Sequence, residues 1–136
     1  AIQDKNTYAV MDIGGDDAGA IALGRFAPYI TEENNYEMIF VVNFYRPLTR
    51  TAQEALEIMR EVENASKLKF TAIANNSNLG EDTTAEDILS TVSETQKLSE
   101  MSSLPVVMTC VKKDLVIALE GEVDNVFSLS LQNKII

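Results

Sequence analysis

The sequence contains no histidine, no tryptophan and a single cysteine, Cys110. Because no imidazole is present, histidine-based acid–base catalysis is excluded and a Cys/His zinc site is not expected. One cysteine cannot form an internal disulfide, which fits a reducing compartment, so we expect a cytoplasmic protein. With no histidine to activate its thiol, Cys110 is predicted to be a core residue.

Basic residues are also scarce, since 11 Lys and Arg stand against 21 Asp and Glu and give a formal net charge of −10. This charge repels phosphates of nucleic acids and anionic lipids, so neither nucleic acid nor a membrane is an expected partner. No apolar run approaches the roughly 20 residues of a transmembrane helix. With 46% hydrophobic residues in 136, residues 1–136 are predicted to fold as one domain with a buried core.

Apolar runs predict the strands. Four of them are continuous, which is typical of strands covered on both faces in a parallel sheet: Tyr8–Ile13, Glu37–Phe44, Lys69–Asn75 and Pro105–Val111. A fifth run, Val126–Gln132, alternates apolar and polar residues and predicts a C-terminal edge strand with one solvent-facing side.

Helical patterns lie between these runs. Thr51 with Glu54, and Thr83 with Glu86, have the spacing of capping boxes that begin helices. Asp17–Phe26 predicts a third helix that ends before Pro28. Strands and helices therefore alternate along the chain, which predicts a three-layer α/β fold with a mostly parallel, Rossmann-like sheet.

The first predicted strand ends in the sequence Asp12-Ile13-Gly14-Gly15, which fits the pattern D-x-x-G. A carboxylate at the carboxyl end of a parallel strand is suited to hold Mg²⁺ through water, while glycine N–H groups approach a phosphate. An ordinary strand-to-helix turn, with Asp16 or Asp17 capping the helix, explains the same residues. Both interpretations stay open.

Polar residues also follow the next strands. The second strand is followed by Asn43, Arg46, Thr49 and Arg50, and the third by Asn75, Asn76 and Asn78. Amide groups at a strand end suit recognition of a purine edge, although asparagine is equally common in turns. An arginine there can bind a phosphate, but we expect Arg50 to pair with Asp16 or Asp17 instead.

The fourth strand runs into Lys112 and Asp114, which resemble a guanine-reading N-K-x-D motif with Val111 in place of the asparagine. This K-x-D match is weak, because the same residues are common in exposed turns.

Four segments of the chain are considered together: VMDIGGDDAGAIALGRF, VVNFYRPLTRT, AIANNSNLGEDTT and PVVMTCVKKDL. They resemble the ParA/MinD-like (SIMIBI-class, CobQ/CobB/MinD/ParA) P-loop ATPases. More closely, they resemble the C-terminal half of a bacterial ATP-binding branch of that family. The resemblance implies ATP and Mg²⁺ as ligands, with Asp12 as the Walker B carboxylate and Mg²⁺ ligand and Gly15 as the switch II glycine. It places Gly14 beside the nucleotide, Asn75 or Asn76 against the adenine, and the loop after Thr109 along the base.

The sequence departs from that family because it has no glycine-rich loop with G-K-[ST]. We therefore expect an incomplete P-loop-type sheet, the C-terminal portion of a longer nucleotide-binding domain, that alone hydrolyses ATP negligibly and binds it weakly. In the family a strand fills the slot between Tyr8–Ile13 and Met38–Asn43. The slot must close up, take Val126–Gln132, or take another chain, so a homo-oligomer or the missing N-terminal half is an expected partner.

An alternative class of function also fits the sequence. It is a self-contained α/β binding or interaction module, similar to a receiver or flavodoxin domain, in which Asp12, Asp16 and Asp17 form an acidic pocket.

Overall fold

The computed structural model describes residues 8–15 and 17–130 of the chain. Its elements, in chain order, are α1 (Asp17–Gly24), α2 (Ala27–Glu33), β1 (Ile39–Val42), α3 (Ala52–Ser66), β2 (Ala72–Asn75), α4 (Ala85–Leu89), α5 (Val92–Ser102), β3 (Val106–Lys112), α6 (Val116–Leu119) and β4 (Val126–Leu129). Short 3-10 turns lie at Gly80–Asp82 and Lys113–Leu115. Among the helices of this described part, none has both the length and the apolar character that a membrane span requires.

The four strands form one sheet in the order β1-β2-β3-β4, and every neighbouring pair is parallel. This confirms the predicted α/β class with a parallel, Rossmann-like sheet. It also confirms the strands predicted from the second, third and fourth apolar runs, within a few residues at each end. The predicted C-terminal edge strand is confirmed as well, because β4 pairs with β3 and ends the sheet.

The strand predicted at Tyr8–Ile13 is absent from this structure, in which these residues form an irregular segment. The side chains of Tyr8 and Val10 are 96% and 98% exposed, so the segment is not packed as a buried strand. An apolar run forms a strand only when its backbone groups pair with a neighbouring strand, and Tyr8–Ile13 pairs with none of the described strands. The predicted slot is therefore bounded by β1 alone, and Val126–Leu129 does not fill it, because it lies at the opposite edge.

The core lies between the sheet and the helices α3 and α5. Phe40 and Val42 of β1 and Ile73 of β2 point to the same face and pack with Met59 of α3 and Leu98 of α5. Burial alternates along β1, so the prediction that this strand is covered on both faces is wrong. The other two side chains of β1, those of Ile39 and Val41, point away from the helices.

The predicted helix starts are confirmed with one change. Thr51 begins α3, and its hydroxyl accepts a hydrogen bond from the Glu54 N–H at 3.2 Å. The second capping box lies one residue later than predicted. The Thr84 hydroxyl accepts the Asp87 N–H, and the Asp87 carboxylate accepts the Thr84 N–H, at the start of α4. Thr83 does not cap the helix, since its hydroxyl oxygen accepts the Leu79 N–H at 2.8 Å and its O–H donates to the carbonyl oxygen of Gly80 at 2.7 Å.

The helix predicted at Asp17–Phe26 is confirmed as α1, which ends at Gly24, and α2 begins with Pro28 in its first turn. Helix α1 packs along α3. The two helices approach closely at Gly24, where an added Cβ would lie 3.0 Å from the carbonyl oxygen of Ala65. This contact fixes α1 in the helix layer next to α3.

Candidate functional site

A cavity of about 400 Å³ opens at the carboxyl ends of β1 and β2. Its polar lining comes from the two strand-end loops and from one earlier glycine: Gly15, Asn43, Arg46, Thr49, Asn76 and Asn78. Small-molecule sites have volumes of roughly 300–1,000 Å³, and ligands of open α/β sheets bind beyond the carboxyl ends of the strands. Position and size therefore make this cavity the candidate site.

A second hollow of about 500 Å³ is lined by residues of α1, α2 and the end of α3, among them Gly24, Pro28 and Lys67. Although it is larger, its lining is mostly apolar and includes no residue of a strand end. We therefore take the smaller cavity as the candidate site.

Arg46 supplies the charge of the cavity. Its side chain is exposed, and it forms no ion pair with any residue that the structure describes. None of the described residues that line the cavity is an aspartate or glutamate. In a chain with a net charge of −10, a cavity whose charge is an unpaired guanidinium favours an anionic ligand.

Asn43 joins the two loops that form the cavity. Its Oδ1 accepts the backbone N–H of Asn78 at 3.3 Å, and its Nδ2 donates to the carbonyl oxygen of Asn78, also at 3.3 Å. Oδ1 also accepts the N–H of Tyr45 at 2.9 Å. The Asn78 side chain is likewise used within its own loop, because it donates to Asn76 O and accepts from Gly80 N. Both amides are therefore engaged in holding the site together.

The neighbours Asn75 and Asn76 have different roles in the structure. Asn75 is 1% exposed. Its Nδ2 donates to Thr91 Oγ1 at 2.9 Å, while its Oδ1 accepts from the hydroxyl and N–H of Ser77 at 2.6 and 3.2 Å. Asn76 lines the cavity, and its side chain makes no hydrogen bond to the described residues. Of the two alternatives for a base-reading amide, the geometry favours Asn76.

Further hydrogen bonds between elements hold the residues around the site in place. The Phe44 N–H donates to Ser77 Oγ at 3.0 Å, and the Tyr45 hydroxyl donates to Asp87 O at 2.6 Å. Glu94 of α5 accepts the N–H of Ala52, the first residue of α3, at 2.7 Å. The loops are thus preorganised, which lowers the entropic cost of binding a ligand.

These framework residues were missed in the sequence. Only Ser77 had a partial signal in the sequence. It stands two residues after Asn75, which is the spacing at which an asparagine side chain accepts a hydrogen bond from a backbone N–H. The long-range partners Tyr45, Thr91 and Glu94 carry no local signal.

Among the predicted phosphate-side residues, Gly15 lines the cavity. Asp12 and Gly14 are exposed in the irregular segment before it. No group of three or more Cys, Asp or Glu in residues 8–15 and 17–130 is arranged to hold a metal ion. The alternative of a helix cap by Asp16 or by the Asp17 side chain lies outside what the structure describes.

Thr109 does not precede a loop, contrary to the prediction, because β3 continues to Lys112 and pairs with β4. Thr109 is itself buried within β3. Lys112 donates to the carbonyl oxygen of Glu81 at 2.7 Å and lies 3.7 Å from Asp114. Its ammonium group therefore binds the protein and is not presented to a base.

Two further side chains were predicted from the sequence. Arg50, just before α3, pairs with Glu54 in the first turn of that helix at 3.9 Å. The expected partners, Asp16 and the Asp17 side chain, lie outside what the structure describes. Cys110 is half-buried in β3, where burial raises the pKa of its thiol, which keeps the thiol neutral.

Comparison of the chain with protein-family models, with curated proteins and with solved structures found no match.

Proposed function

We propose that this chain forms part of a nucleotide-binding site, with ATP and Mg²⁺ as the ligands of the intact protein, as in the ParA/MinD-like ATPases that the sequence resembles. The observation that carries the proposal is the cavity that brings Gly15 of the D-x-x-G segment together with the unpaired Arg46 guanidinium and the unbonded Asn76 amide.

Each of these groups has a distinct task in the proposed site. The Arg46 guanidinium pairs with phosphate oxygens, for which its planar set of donors is well suited. The Asn76 amide offers one acceptor and two donors, which match the edge of a purine. Asp12, three residues before Gly15, holds Mg²⁺ through water. Without a phosphate-binding lysine in these 136 residues, binding is weak and hydrolysis by this chain alone is negligible.

A self-contained module with an acidic pocket is less well supported. The described residues of the cavity carry no carboxylate, and their charge is that of Arg46. This lining attracts an anion and does not attract a free cation.

Thermal unfolding with ATP, GTP or Mg²⁺ alone separates these functions. A nucleotide site predicts that Mg²⁺ with ATP raises the melting temperature by about 5 °C at roughly ten times Kd. Stabilisation by Mg²⁺ alone favours the acidic module, and stabilisation by GTP over ATP moves the assignment to a guanine nucleotide. An unchanged melting temperature under all three conditions contradicts the proposal.

A further inference from the structure

Within residues 8–15 and 17–130, the segment Tyr8–Ile13 and the outer edge of β1 have no partner strand. The segment Tyr8–Ile13 has strand-like apolar side chains, yet Tyr8 and Val10 are almost fully exposed. Strand β1 is the first strand of the sheet and pairs only with β2 within the described residues. An open edge presents unpaired backbone groups that readily accept another strand.

The open backbone groups of β1 can be identified. The carbonyl oxygens of Met38 and Val42 accept hydrogen bonds from Thr71 and Asn76 on the β2 side. In a parallel strand the N–H and the C=O of one residue point to the same side, and this side alternates from one residue to the next. The N–H groups of Ile39 and Val41 therefore point away from β2. Their side chains are also 40% and 61% exposed.

The cavity is lined in part by residues of β1 itself. Beyond its polar end at the strand termini, it has an apolar half lined by Phe40, Val41 and Val42 of β1 and by Ile58 of α3. Gly15 lies in the same cavity, only two residues after Ile13. A groove formed by an edge strand and a helix is a common binding surface for an extended segment.

We propose that Tyr8–Ile13 closes onto the free edge of β1 as a fifth parallel strand. Gly15 lines the same cavity as Asn43, the residue that follows the carboxyl end of β1. A segment that ends just before Gly15 and lies along β1 therefore runs in the same direction as β1. At about 3.3 Å per residue it spans roughly 20 Å, enough to pair with all four residues of β1.

Helix α1 already has the position that this closure requires. A right-handed connection from the new strand to β1 places its helix on the face that carries α3, and α1 packs along α3. Closure fills the apolar half of the cavity and leaves the polar end with Arg46 and Asn76 accessible. It also brings Asp12 toward that polar end.

Amide hydrogen exchange followed by NMR tests the closure on the wild-type chain without any nucleotide. In the closed state the Ile39 and Val41 amides are protected to within about tenfold of those of Phe40 and Val42. If Ile39 and Val41 exchange at the rate of unstructured peptide while their two neighbours are protected, the proposal is wrong. Protection that increases with protein concentration also overturns it, because the edge then pairs with a second copy.

Variants in the segment identify the strand that closes. Val10→Pro and Met11→Pro each remove one backbone N–H. Neighbouring N–H groups of a strand point to opposite sides, so in the closed state one of these two N–H groups faces β1. One of the two variants must therefore remove a hydrogen bond between the segment and β1. We expect that variant to speed exchange at Ile39 and Val41 by at least about tenfold, while Val10→Thr, which keeps a β-branched residue, preserves the protection. Unchanged exchange in both proline variants overturns the assignment of this segment. None of these measurements depends on nucleotide binding.

Discussion

The side-chain amide of Asn43 binds both backbone groups of Asn78, accepting its N–H and donating to its carbonyl oxygen, each at 3.3 Å. This pair holds the loop after β1 against the loop after β2. The two loops supply most of the polar lining of the candidate site. The geometry of the cavity therefore depends on the side-chain amide of Asn43.

Replacement of Asn43 by alanine is expected to lower the free energy of unfolding by about 1–3 kcal/mol, because several hydrogen bonds between partly buried groups are lost. The same variant should weaken ligand binding, since the two loops are no longer held together. Urea unfolding measures the first effect. Asn64→Ala, at an exposed position of α3, is the control and should change neither quantity; an equal loss in both variants contradicts the role of Asn43.

Asn75 and Asn76 should separate stability from binding. Asn75→Ala leaves buried Ser77 and Thr91 groups without their partner, so it should destabilise the fold by about 1–3 kcal/mol. Asn76→Ala should change stability by less than about 0.5 kcal/mol and should weaken nucleotide binding. Parallel urea unfolding and nucleotide titrations measure both. A stable Asn75→Ala variant, or an Asn76→Ala variant that binds like the wild type, contradicts this division.

Glu63 is a buried carboxylate near the end of α3. It pairs with Arg60 at 2.6 Å and accepts the N–H of Phe70 at 2.9 Å, just before β2. Glu63→Ala leaves that buried N–H without an acceptor, so we expect a loss of about 1–3 kcal/mol in unfolding free energy. Glu61→Ala removes an exposed carboxylate from the same helix and should cost less than about 0.5 kcal/mol. Equal losses would show that the buried contacts are unimportant.

Glu94 predicts a pH dependence of stability. Its pKa is lowered from the ordinary value of 4.5, first because its carboxylate accepts the Ala52 N–H and second because Lys97 donates to it. A carboxylate with a lowered folded-state pKa binds fewer protons than in the unfolded chain, so it stabilises the fold above the unfolded pKa. This contribution is lost as the pH falls below 4.5 and through the lower folded-state pKa.

The matching experiment compares the wild type with Glu94→Gln by urea unfolding between neutral and acidic pH. We expect the variant to be the less stable protein at pH 7 and the difference to shrink below about pH 4.5. A difference that is constant over this range contradicts the role of the charge.

The sequence predicted the four strands that pair within the sheet, because three continuous apolar runs and one alternating run identify them. It did not predict the irregular state of Tyr8–Ile13, since that run is apolar like the others and yet pairs with none of the described strands. Local spacing was also ambiguous at Thr83 and Thr84, which both precede an acidic residue by three positions. Only the turn at Gly80, which uses the Thr83 hydroxyl, decides between them.

For the site, the sequence correctly grouped polar residues at the strand ends but could not tell structural amides from free ones. Asn75 and Asn76 are adjacent and chemically identical, and only the partners Ser77 and Thr91 engage the first of them. Ser77 is close in sequence, but Thr91 lies at the start of α5. Its contact with Asn75 depends on the packing of α5 against the sheet, which no local pattern encodes.

The central claim, that the cavity at the ends of β1 and β2 binds a nucleotide, is tested most directly by NMR titration of the ¹⁵N-labelled chain with Mg²⁺ and ATP. We predict that the Gly15 amide and the Asn76 side-chain NH₂ signals shift in a saturable way, while those of Asn75 and Asn64 stay in place. Arg46→Gln should weaken this titration by at least about tenfold, whereas Arg50→Gln should not. Saturable shifts confined to Gly24 and Lys67, or no shifts at all, would contradict the claim.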